Sequence, residues 1–401
     1  MHIQSCGTAI DVNFKDVGSD RDELLQATKK ILQKQLVGQS YRLIILQHIL
    51  PDTVTFLRMA RNAGINVAKV FAKPNSIHKP SLETLVDEGF AVSCLDYGEM
   101  EGTEVLDKAI LQEHALAVQY QEQLVCVDVG GYFCEPLRRL SPKKLPNFKG
   151  VVEVTTFGHN RYSAKVKYLA HPVISLAKSP LKNAEALIVG ESATLATDLI
   201  LRENGYLFVG SKVGVLGFGA IGHSTAKALR SKGHLVTVFD TDPIKRVAAK
   251  LEGFGVSSSK QDLLGNCDFV FSATATRAVE VADLKHFQNG LVLVSVGSKA
   301  NEFDIDGLVD AAETAAIDSD GISCLTYAGG TKLKVLRMGK AVNFHVQSCP
   351  DEVMDLVFAE TVACMATLST DLPKSVLSEL SDESRKEIAA KWLQRGTYER
   401  N

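Results

Sequence analysis

Short runs of branched apolar residues alternate with longer stretches whose apolar positions recur at helical spacing, along almost the whole chain. Residues 42–46 (Arg-Leu-Ile-Ile-Leu), 67–72, 91–95, 124–129 and 151–155 read as strands. They are too continuously apolar for a sheet with one wet face. Ahead of them, residues 22–36 carry Leu24, Leu25, Ile31, Leu32 and Leu36 at helical spacing. Residues 52–63 form a second helix that Gly64 ends. A long helix over 183–204, stopped by Gly205, bridges into a second set of strands at 212–216, 235–239, 267–273 and 291–296. A helical pattern over 353–368 and a polar tail rich in Ser, Glu, Lys and Arg close the chain. This rhythm predicts an α/β protein made of two Rossmann-like domains, each a doubly wound parallel sheet.

Composition narrows the function. Of 401 residues, 45% are hydrophobic and 23% charged, which gives enough apolar surface for full cores. With 44 basic against 47 acidic side chains the net charge is −3, so no basic footprint suggests a nucleic-acid partner. No apolar run approaches the roughly 18 residues of a membrane span, and the first residues lack a secretory layout. Eight scattered cysteines without a C-x-x-C pair read as free thiols in a reducing cytoplasm, with no metal site.

The clearest chemistry sits at Gly217-Phe218-Gly219-Ala220-Ile221-Gly222, directly after the strand 212–216 and opening a helix. Gly217 allows a tight turn, Gly219 lets backbone approach a pyrophosphate, and Gly222 lets helix pack on strand. The N–H groups at the helix start, including those of Ala220 and Ile221, face the phosphates. The next strand ends at Asp240, whose carboxylate would hold the adenosine ribose hydroxyls and repel a 2′-phosphate. NAD is therefore expected over NADP, a preference that Lys245 and Arg246 soften.

Several further motifs resemble the adenosylhomocysteinase (S-adenosylhomocysteine hydrolase) family. Gly217–Gly222 is similar to its G-Y-G-D-V-G, and residues 240–244 (Asp-Thr-Asp-Pro-Ile) to its E-x-D-P-I. Asn301-Glu302-Phe303-Asp304 resembles N-E-I-D, Val342-Asn343 the V-N before the closing segment, and residues 153–158 the E-E-T-T-T-G. The resemblance implies a discontinuous substrate domain, 1–183 plus 345–401, around an NAD domain at 184–344, with a cleft closing between them. It also implies that Thr155, Thr156, Thr274 and Asn343 line the NAD pocket. Subunits would pair as a dimer or tetramer through the NAD domain. Family enzymes use tightly held NAD to oxidise a ribose hydroxyl, eliminate homocysteine, add water and return the hydride.

The substrate half departs from that pattern. His48 fits the L-H-M-T segment, with Asp52 and Thr53 as substrate contacts, Asp52 toward an adenine amino group. Yet D-D-G-G becomes Asp128-Val129-Gly130-Gly131, and the second Glu of E-E-T-T-T-G is Val154. Ser298 and Cys349 stand where the family has histidines, and no Asp-Asn pair follows Lys178 or Lys182. The family's tail, which reaches a neighbouring subunit, is replaced by residues 396–401. Remaining candidates for acid–base work are His48, Glu153, His159 and His345, with Lys299 as a cation near the nicotinamide. The expectation is NAD-dependent redox chemistry on a small hydroxylated substrate. The alternatives are a catalytically lapsed NAD-liganded binding protein and a true adenosylhomocysteinase.

Overall fold

The computed structural model describes residues 9–10, 21, 23–35, 39–297, 301–370 and 372–394. Ser298, Lys299 and the tail 396–401 lie outside them. Contacts divide the chain into two units, Met1–Asn183 with Pro350–Asn401, and Ala184–Cys349.

The first unit is built on a parallel sheet. Its strands are β1 (Ala9–Ile10), β2 (Tyr41–Ile49), β3 (Asn66–His78), β4 (Val92–Cys94), β5 (Gln123–Asp128), β6 (Phe148–Glu153) and β7 (Val173–Ser175). The order is β1-β3-β2-β5-β6-β7, extended by Leu377–Ser378, with β4 paired to β3. Leu43, Ile44, Ile45 and Leu46 are fully buried, which explains why β2 lacks polar alternation. The helix Asp351–Leu368 packs into this unit, stacking Phe358 on Phe56 with ring centroids 4.5 Å apart. Its buried Asp355 accepts the N–H groups of Ala27 (2.9 Å) and Thr28 (2.7 Å). It thus caps the helix Gln26–Gln35, whose first donors have no partner within the helix.

The second unit carries β8 (Lys212–Leu216), β9 (Leu235–Phe239), β10 (Gly255–Val256), β11 (Phe269–Ser272), β12 (Leu291–Ser295), β13 (Thr314–Ala316), β14 (Ile322–Thr326) and β15 (Lys332–Leu336). Their order is β10-β9-β8-β11-β12-β15-β14-β13. All pairs are parallel except β13 with β14 and β14 with β15. Alternate residues feed two cores: Phe269, Phe271, Val292 and Val294 enter one, Val270, Leu291 and Leu293 the other. The antiparallel edge was not expected, because its strands are short and only partly apolar.

Apart from β1 and the antiparallel edge, the strands of each unit run outward in sequence on both sides of one point, between β2 and β5 and between β8 and β11. Ligands of such sheets bind beyond the strand ends at that switch point. Three expectations need correction. The chain returns to the first unit at Pro350 rather than 345, so His345 belongs to the second unit. The polar tail contains a helix, Asp382–Leu393, capped by Ser381 and anchored by buried Ile388 and by Arg385 on buried Glu360 at 3.0 Å. Finally, Cys94 is disulfide-bonded, whereas Cys126, Cys134, Cys267, Cys324, Cys349 and Cys364 are free thiols.

Candidate functional site

In the second unit, the three glycines after β8 are glycine for different reasons. Gly217 has φ +86°, a conformation that disfavours any side chain, and a Cβ there would meet the Ala273 carbonyl at 2.7 Å. At Gly222 a Cβ would fall 1.9 Å from the Gly217 carbonyl oxygen. Gly219 is unlike both, since its φ of −76° and ψ of −172° suit any residue. Apart from its own chain neighbours, no described residue has an atom within 4 Å of where its Cβ would be. Internal packing therefore explains two glycines and leaves the third as a cradle for something outside the chain. Gly219 also precedes the helix Ala220–Ser231, whose first turn receives no side-chain cap and so presents N–H groups.

Asp240 sits at the end of β9, at the foot of this loop. Its Oδ2 accepts the Phe218 N–H at 2.7 Å and its Oδ1 the Asp242 N–H at 2.9 Å. The Lys245 ammonium lies 3.6 Å from Oδ2. Two carboxylate oxygens offer about four lone-pair positions, so capacity for a ribose hydroxyl persists.

Across the switch point, Thr274 follows β11 and is held by Glu302, a residue whose role the sequence reading missed. Fully buried Glu302 accepts from Ser272 Oγ (2.5 Å), Thr274 N (3.1 Å), Thr274 Oγ1 (2.6 Å) and Ala275 N (2.7 Å). A Cβ on Gly297 would strike it at 2.4 Å, so that glycine makes room for the clamp. Asn343 is buried and donates Nδ2 to Ser348 Oγ at 2.6 Å. Its Oδ1 is buried with no partner, an acceptor suited to an amide donor such as a carboxamide. An open cradle and an orphaned acceptor, each at an expected position, fit a nicotinamide dinucleotide. His345 is half-buried, 4.0 Å from Glu203, and burial lowers its pKa.

In the first unit, Glu153 ends β6 and pairs in register with Asp128 at the end of β5. It accepts from Gly130 N (3.4 Å), Gly131 N (2.9 Å), Thr155 N (2.6 Å) and Thr155 Oγ1 (2.7 Å). Burial and the neighbouring Asp128 carboxylate push it up to about 8. Glu153 was a candidate for moving protons or for orienting its neighbours; fully buried, with four donors on its two oxygens, it clamps the loops after β5 and β6. A Cβ on Gly158 would strike its carboxylate at 2.1 Å, as Gly297 would strike Glu302. Asp128 acts alike, accepting Tyr132 N, Phe133 N and Tyr162 OH at 3.1, 2.9 and 2.8 Å. Thr155 caps the helix Thr156–Lys165 and Thr156 is exposed at its start. Val129 and Val154, where the family has carboxylates, are buried apolar side chains.

His48 closes β2 beside the switch point. Its Nδ1 lies 2.5 Å from Ser76 Oγ, and Ser76 donates to the Lys73 carbonyl at 3.1 Å. With the serine proton committed there, Nδ1 carries the ring hydrogen and Nε2 the lone pair. Burial first, then the charges of Lys73 and Lys182, lower the His48 pKa well below 6.5, so the ring is neutral at pH 7. Lys73 is fully buried, another residue the sequence reading passed over. Its signal was a lysine directly after the apolar run Val70-Phe71-Ala72, inside β3. Asp52 and Thr53 lie buried in the first turn of the helix Pro51–Asn62. Burial and the Asp351 carboxylate raise Asp52 to about 7, opposed by Arg21, which grips Asp351 at 2.8 Å. His159 is buried, bonded through Nδ1 to Ser175 Oγ at 2.9 Å, and burial lowers its pKa too.

Comparison with known proteins agrees with this geometry. Residues 191–349 match the family model described as S-adenosyl-L-homocysteine hydrolase, NAD binding domain. The chain is 27% identical to the adenosylhomocysteinase of Saccharolobus solfataricus over 330 residues, covering 82% of this chain and 76% of that one. It is 27% identical to the adenosylhomocysteinase of Sulfurisphaera tokodaii over 344 residues, covering 84% and 79%. Among the described residues no helix is long and apolar enough to cross a membrane, and no group of three or more His, Cys, Asp or Glu could hold a metal ion.

Proposed function

We infer that this chain, a divergent member of the S-adenosylhomocysteine hydrolase family by its NAD-binding domain, performs NAD-dependent redox chemistry on a small hydroxylated substrate. The observation that carries this reading is His48 at the switch point of the first sheet, its Nδ1 2.5 Å from Ser76 Oγ and its pKa held well below 6.5 by burial. When bound, NAD supplies a hydride acceptor.

The protein's own part is acid–base and electrostatic. His48 takes the proton of the substrate hydroxyl as its carbon is oxidised. The Lys73 and Lys182 charges, which add to burial in lowering the His48 pKa, also lower the energy of an alkoxide beside it. Glu153 and Asp128 serve as positioning residues by holding the loops that follow β5 and β6, while Asp52 and Thr53 contact the substrate. His159 and His345 are the remaining candidates, each kept neutral by burial. The assembly would be a homo-oligomer, dimer or tetramer. Apolar Val129 and Val154 remove two acid–base groups at family positions, which favours a changed reaction over ordinary hydrolysis of S-adenosylhomocysteine.

A screen of hydroxylated metabolites, nucleosides included, against the NAD-loaded protein tests this. The expected result is a rise in reduced-nicotinamide absorbance with at least one of them. No change with any metabolite would favour a lapsed, NAD-liganded binding protein. Steady release of homocysteine from S-adenosylhomocysteine would identify an ordinary hydrolase instead.

A further inference from the structure

We propose that the cofactor site of the second unit accepts a dinucleotide bearing a ribose 2′-phosphate as well as one without it, with Lys245 as the residue that reads that phosphate. This rests on the reading that the unit holds a dinucleotide, and it narrows which one.

An acidic residue at the end of the second strand discriminates against a 2′-phosphate by repulsion, and only to the extent that its charge is uncompensated. Asp240 is compensated from three sides. The Phe218 and Asp242 N–H groups donate to its two oxygens at 2.7 and 2.9 Å, and the Lys245 ammonium stands 3.6 Å away. An ammonium that reaches the carboxylate also reaches a phosphate on the ribose that this carboxylate holds.

Lys245 is partly exposed and on a flexible stem, so it can stand between Asp240 and an incoming anion and face both. Arg246 adds a second cation on the same helix, Pro243–Leu251. Its guanidinium lies over the Phe239 ring at 5.7 Å, and its Nε is buried with no hydrogen-bond partner. Asp242 caps that helix by accepting the Ile244 N–H at 2.8 Å, which fixes the turn from which both cations project.

The test is calorimetric titration of the nucleotide-stripped full chain with NAD and with NADP, at low and at moderate salt, for the wild type and Lys245→Ala. The expected NADP affinity lies within about tenfold of that for NAD and falls more steeply with salt. Lys245→Ala should weaken NADP by about tenfold or more while moving NAD by less than about twofold. NADP binding weaker than NAD by more than about tenfold in the wild type overturns the proposal, as does a Lys245→Ala variant that shifts both ligands equally. Binding of neither nucleotide would remove the dinucleotide reading itself, a failure distinct from loss of NADP alone.

Discussion

Replacing His48 by asparagine is expected to slow hydride transfer by about 10²–10⁴-fold, the range for loss of a positioned general base. Asparagine can still donate to Ser76 Oγ but takes up no proton, so the fold and the bound nucleotide should be unchanged. The pH profile separates this role from a structural one. Burial and two lysine charges hold the His48 pKa well below 6.5. The wild-type rate should therefore be flat across neutral pH and fall only on the acid side, as the ring protonates. Rapid-mixing measurement of nicotinamide reduction, with the substrate found by the metabolite screen, reads both effects. An unchanged rate in the variant would contradict the role.

Replacing Glu302 by alanine is expected to cost about 3–5 kcal/mol, because it removes a fully buried carboxylate on which four donors converge. Ser272 Oγ, Thr274 N and Ala275 N lose their acceptor, and Thr274 Oγ1 keeps only the Thr276 carbonyl at 3.1 Å. Ala275 adds to the cost, since the clamp holds it at φ +57°, unusual for a residue with a side chain. A urea titration should show the loss as a lower midpoint with an unchanged slope. A change below about 1 kcal/mol would mean the clamp is not formed in solution.

Glu153 and Glu302 also show what a sequence does and does not disclose. The strands β2, β5, β8 and β12 were legible because burial on both faces leaves a continuous apolar run in the middle of each. The glycine loop was legible because three glycines at that spacing, between a strand and a helix, answer three separate steric demands. The sequence left Glu153 open between a catalytic and an orienting role, because a buried carboxylate and a catalytic one look alike there. What separates them is the number of N–H groups aimed at the oxygens, and those come from residues 130, 131 and 155, on two loops. Glu302 lay inside a recognised motif, yet its partners lie on the loop after β11, far from it along the chain. The helix Asp382–Leu393 was hidden by its polar surface, because only Ile388 and Arg385 of that segment are buried. Lys73 was missed because a lysine in sequence defaults to solvent, whereas this one lies fully buried within β3.

The central claim is that Gly219 is kept small for a ligand and not for the fold. Its Cβ would touch no described residue beyond its own chain neighbours and its backbone suits any residue. Nucleotide titration of Gly219→Val beside the wild type, with a thermal melt of each, addresses this directly. The account predicts equal melting temperatures without nucleotide and an NAD affinity lowered by about 100-fold or more in the variant. Undiminished NAD binding by a fully folded Gly219→Val protein would contradict it.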